Sequence, residues 1–74
     1  MSPALARAAR ALLGMTQSEL AQAAGLGLST IVDFEKERRL VSDESVRAIK
    51  DALEEAGIEF ICEDGGAHGL KRRN

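Results

Sequence analysis

Apolar residues recur at spacings of three and four in four stretches of this chain, and in a fifth they crowd together without that period. In the first, Leu5, Ala8, Ala9, Leu12 and Leu13 form one side of a helix expected over residues 3 to 13. Ser2 precedes it as an N-cap, and Pro3 takes the first helical position, where its missing N–H costs nothing. Gly14 closes it. Thr16 followed three residues later by Glu19 has the spacing of a capping box, in which each residue's side chain satisfies the other's backbone N–H, so a second helix starts there. Leu20, Ala21 and Ala24 are its stripe, and Gly25 supplies the left-handed conformation that ends it. The pattern then restarts. Ile31 and Phe34 face inward, leaving Ser29, Thr30, Asp33 and Lys36 on outer and flanking surfaces. After a connector in which Leu40 and Val41 are expected to tuck under the core, Ser42 caps a fourth helix with Asp43 and Glu44 in its first turn. Val46, Ile49, Leu53 and Ala56 are its apolar face, Gly57 its end, and its outer face alternates in charge sign through Arg47, Lys50, Asp51, Glu54 and Glu55.

The period changes after Gly57. Ile58, Glu59, Phe60, Ile61 and Cys62 are rich in β-branched and aromatic residues and run into the turn signal Glu63-Asp64-Gly65-Gly66. One strand is expected at about 58 to 62 and a second at about 68 to 72. The chain thus divides into a helical unit, 1–57, and a C-terminal strand or hairpin segment, 58–74. Phe60 and Ile61 point to opposite sides of a strand, and an isolated hairpin is not stable. The expected solution is a homodimer in which Ile58, Phe60, Ile61 and Cys62 of one copy meet those of another.

Size strengthens that expectation, because a chain of 74 residues buries a modest fraction of its surface. With no Trp or Tyr and two Phe, the core must come from Leu, Ile, Val and Ala in closely packed short helices. One Cys makes no internal disulfide and one His no metal-ligand set, so no metal, cofactor or small-molecule ligand is expected, and a cytoplasmic setting fits. The first fifteen residues are apolar only in short runs and carry two arginines, which fits neither a membrane span nor a signal peptide. Cys62 and His68 lack the acid, base and nucleophile set that an enzyme needs.

Thr16-Gln17, Leu20-Ala21, Gly25, Ser29-Thr30-Ile31 and Phe34-Glu35, within the run TQSELAQAAGLGLSTIVDFEK, resemble the helix-turn-helix of the phage-repressor and Cro-like (Xre-type) DNA-binding family. The resemblance implies a mainly α fold, a four-helix Cro/repressor-like domain with a short C-terminal β-strand or hairpin. It also implies a function, that of a sequence-specific DNA-binding transcriptional regulator acting as a repressor, with double-stranded DNA as partner. Helix-ending Ala56-Gly57-Ile58-Glu59-Phe60-Ile61 is similar to the tail of one group of small bacterial Cro-like proteins, without their second alanine.

Carried onto this sequence, the family's base-facing positions fall on Gly27, Leu28, Ser29 and Asp33. Its backbone-facing positions fall on Gln17 and Thr30, with Arg38 and Arg39 just beyond; Thr16, which caps that helix, is also a DNA-binding candidate, and the charge pattern adds Lys36, which clusters with Arg38 and Arg39 as a phosphate-facing edge. Arg10 and Glu35 match a pair that in this family joins the first helix to the end of the recognition helix. Gly27 and Leu28 depart from the strongest form of the pattern, since neither makes a bidentate base contact; Leu28 can touch a thymine methyl, and Asp33 can accept from a cytosine amino group while repelling phosphates. Charge is divided. The whole chain is at −2, but residues 1 to 41 carry +1 and residues 42 to 74 carry −3, so the motif lies in the less acidic half. An acidic balance and apolar recognition positions also suit a protein-interaction module that reuses the fold, such as an antitoxin-like partner.

Overall fold

The computed structural model describes residues 1–63 and 66–73, the side chains of 62, 63 and 66–68 excepted. Four helices and one hairpin follow in chain order: α1 Pro3–Leu13, α2 Gln17–Ala24, α3 Leu28–Glu35, α4 Asp43–Glu55, β1 Ile58–Glu63 and β2 Gly66–Arg72. The fold is mainly α, as the resemblance implies.

Local chemistry accounts for the boundaries. The Ser2 hydroxyl accepts from the Leu5 N–H at 3.2 Å, the Thr16–Glu19 capping box is complete in both directions, and the Ser42 hydroxyl accepts from the Ser45 N–H at 3.1 Å. At the other ends, Gly14 and Gly25 take left-handed backbone, with φ of 66° and 70°. The following residues return N–H groups to the preceding turns, Met15 to Arg10 and Leu26 to Ala21, both at 2.9 Å. α3 differs. Gly27 caps its start with no side-chain hydrogen bond, and its end is a left-handed turn at Glu37 rather than at a glycine.

Every element feeds one core. Ala6 and Ala9 of α1, Leu20 and Ala21 of α2, Ile31 and Phe34 of α3, and Ile49, Ala52 and Leu53 of α4 are buried together. Ile58 and Phe60 of β1 join them, so the hairpin completes the helical core. The α1 stripe is rotated from its expected position. Ala8 is exposed and Leu12 half-exposed, while Ala6 takes the centre, because helices packed through alanines approach closely and push the larger Leu5 and Leu13 to the margin. In α4, Ala52 replaces Ala56 in the core. Val41 packs against the core as expected, but Leu40 does not: it is 98% exposed, so the connector turns one of these two neighbouring side chains inward and the other to solvent.

The second strand exists and starts earlier than expected. β1 and β2 pair antiparallel, with Ile58 opposite Arg72, Phe60 opposite Leu70 and Ile61 opposite Gly69, and the register shifts between Ile61 and Cys62. The expected turn residues Asp64 and Gly65 lie outside the described residues, as do the side chains of Cys62 and His68. On the outer face, Glu59 and Lys71 approach to 3.6 Å, and Ile61, 43% exposed, lies over Gly69.

Candidate nucleic-acid interface

The two ends of α3 have opposite environments. At its C-terminal end Phe34 and Glu35 are buried, and Glu35, 1% exposed, is the one buried charged side chain among the described residues. Arg10 grips it with two parallel hydrogen bonds, Nε to Oε2 at 2.7 Å and Nη2 to Oε1 at 2.8 Å. Gln17 Nε2 donates to the same Oε1 at 3.1 Å, Arg10 Nη1 reaches the Met15 carbonyl at 3.0 Å, and Arg7 donates to the Glu35 carbonyl. One carboxylate therefore joins the middle of α1, the start of α2 and the end of α3. Burial pushes the Glu35 carboxyl up, but hydrogen bonds from Arg10 and Gln17, with the charges of Arg10 and Arg7, outweigh it and hold the group below the ordinary glutamate range. The same hydrogen bond, against some desolvation, raises Arg10 above its usual value.

At its N-terminal end α3 is open to solvent. Gly27, Leu28 and Ser29 are exposed and Thr30 is half-buried. Leu28 is 47% exposed, a large apolar side chain held at the tip of a helix. Nothing about the backbone demands glycine at 27: φ is −72°, and an added Cβ would meet only the Ser29 hydroxyl, at 3.9 Å. What a glycine leaves there is a helix start with no side chain over its free N–H groups.

The candidate residues divide between presentation and internal bonding. Ser29, Asp33 and Lys36 follow one another at four and three positions, a single outward row. Lys36 and Arg38 are exposed, with no side-chain partner among the described residues. Thr16 is exposed, its hydroxyl and backbone N–H both engaged in the capping box. Gln17, read from the sequence as a backbone contact, spends one amide N–H on Glu35 and keeps the other N–H and its oxygen. Arg39 Nε donates to Asp33 Oδ2 at 2.7 Å, so two residues of the expected interface neutralise each other.

Neither the Asp33–Arg39 pair nor the reach of Arg7 to a main-chain carbonyl was legible beforehand, because both depend on how α3 ends and tilts. Glu35 was indicated through the resemblance alone, since Asp33 and Glu37 flank it and the residue pattern by itself does not single out which acid is buried. Of the expected intersubunit residues, Ile58 and Phe60 face the helices of their own chain, Ile61 faces out, and the Cys62 side chain lies outside the described residues. Among the described residues no helix is long and apolar enough to cross a membrane, and no cluster of His, Cys, Asp and Glu could hold a metal ion.

A family model described as helix-turn-helix matches residues 7–59, from within α1 to the start of β1. No curated protein matches the chain.

Proposed function

Since the chain belongs to the Cro/C1-type helix-turn-helix family of DNA-binding regulators, we propose that it is a sequence-specific repressor that inserts α3 into the major groove. The contrast between the ends of α3 carries this reading. A helix fixed at its buried end by the Glu35 network and open at Gly27, Leu28 and Ser29 presents its N-terminal residues to base edges, which is how the second helix of such a motif docks. Ser29 donates to or accepts from a base, Leu28 packs on a thymine methyl, and Lys36 and Arg38 hold phosphates. With few bidentate donors on this face, DNA shape supplies part of the selectivity.

The repressor acts as a two-fold homodimer joined through the outer face of the hairpin. Ile61 is the apolar centre of that face and the Glu59–Lys71 pair lies beside it, so the patch offers one apolar group and both charge signs, as contact with its own copy requires. Two recognition helices about 34 Å apart then read a roughly palindromic site.

Selection of bound fragments from random duplex DNA tests the core of this reading, with salt-dependent enrichment of one motif expected. Arg38→Ala should weaken all duplexes alike and flatten the salt slope by about one unit, whereas Ser29→Ala should change sequence preference. Equal losses on every sequence for both variants would contradict these roles. For the dimer, Ile61→Asp leaves the core intact and should give the monomer mass by light scattering. A dimer mass for that variant, or a monomeric wild type at high concentration, would remove the hairpin interface.

A further inference from the structure

Asp33 and Arg39 are six residues apart, one inside α3 and one beyond it, yet they form an ion pair at 2.7 Å. The contact depends on the way the helix ends. Glu37 adopts a φ of 55°, its N–H returns to the Phe34 carbonyl at 3.2 Å, and the Arg38 N–H returns to the Asp33 carbonyl at 2.9 Å. The chain doubles back at that point and brings Arg39 alongside the last turn of α3. Left-handed backbone is unfavourable for a residue with a Cβ, so this reversal is held against a local cost. Asp33 is 23% exposed and Arg39 53%, so the pair lies at the protein surface, in the outward row with Ser29 and Lys36.

We propose that Asp33 is a specificity-determining residue that works by sequestering Arg39. The inference rests on the DNA-binding reading above. A phosphate contact from an arginine strengthens binding to every sequence, and it strengthens the loose non-specific complex, which is held almost wholly by phosphates, in greatest proportion. Asp33 competes with the DNA backbone for the Arg39 guanidinium, which lowers that background. The exchange is reciprocal. Arg39 occupies Oδ2 and cancels a charge that phosphates would repel, leaving Oδ1 free to accept from a base amino group. The end of the recognition surface thus carries an acid and a base that are electrically silent towards the backbone, with one oxygen left for reading bases.

The test measures affinity for a selected site and for random duplex DNA across a series of salt concentrations. Asp33→Asn and Asp33→Ala should both free Arg39, raising random-duplex affinity about twofold at 0.15 M salt, the most that a weak exposed pair can hold back, and steepening the salt slope by part of the roughly 0.9 that one full phosphate contact adds. Affinity for the selected site should gain less, so the specificity ratio falls. Adding Arg39→Ala to either variant should restore the wild-type slope and random-duplex affinity. Helical circular dichroism confirms that each variant is folded, and alanine is a favourable helix residue should asparagine perturb α3. Unchanged slopes in both Asp33 variants would overturn the proposal, as would a slope flattened by about one in Arg39→Ala alone, which marks Arg39 as an ordinary phosphate contact. Those results leave the DNA-binding reading standing. A wild-type chain with no salt-dependent DNA binding would overturn both.

Discussion

Glu35 and Asp33 are two residues apart on α3, and each accepts a hydrogen bond from an arginine Nε at 2.7 Å, yet the two pairs do different physical work. Glu35 is 1% exposed and takes a second bond from Arg10 and a third from Gln17. Asp33 shares its one arginine with solvent. Water decides the difference. Around Asp33–Arg39 it screens the attraction and competes for both partners, so the pair contributes little stability and can exchange. Around Glu35 water is excluded, so the attraction is strong but much of it offsets desolvation, and what the pair supplies is a defined angle between α1, α2 and α3. Equal distances therefore give a fixed joint in one place and a movable charge in the other.

The largest effect should come from breaking the buried pair from the arginine side. Arg10→Ala leaves the buried Glu35 without its main partner, and should destabilise the fold by about 3–5 kcal/mol, comparable with the whole stability of a small domain. Urea unfolding measures it. If the pair serves geometry rather than stability, replacing Arg10 and Glu35 together by methionine should recover most of that loss while weakening DNA binding. A double variant as unstable as Arg10→Ala would contradict this account.

Acid should act on the same joint more gently. The folded state holds the Glu35 proton less tightly than the unfolded chain, whose glutamates titrate at about 4.3. Stability from this group is therefore complete above that pH and is lost as pH falls through the lower folded value. Thermal midpoints should drop on acidification below about pH 4, and less so in Glu35→Gln. An identical acid profile in the two proteins would assign the loss to other carboxylates.

Asp33→Ala should cost least, under about 1 kcal/mol, because its partner returns to water. The comparison sharpens into one number for each pair. Double-mutant cycles should give coupling of about 1–3 kcal/mol for Arg10–Glu35 and about 0.5 kcal/mol or less for Asp33–Arg39. Equal couplings would mean that solvent exposure does not separate the two.

What the sequence by itself determined was whatever is settled within about one turn of chain. Ser2, Thr16 with Glu19, and Ser42 specify helix starts because their acceptors lie three residues from the N–H groups they satisfy, and Gly14 and Gly25 specify ends because the left-handed turn is local. Apolar stripes located the core to within a rotation, missing Ala6 and Ala52 because spacing identifies a face but not the depth to which neighbours press into it. Arg10–Glu35 was visible only through the family resemblance. Tertiary structure alone decided that Gln17 completes that network, that Leu40 faces solvent while Val41 packs, and that Ile58 and Phe60 turn towards their own helices. It alone decided that a left-handed Glu37 folds Arg39 back onto Asp33. Each of these depends on groups far apart in sequence or on a backbone reversal without its usual glycine, and burial, which sets the worth of a charge pair, exists only once the chain has closed around it.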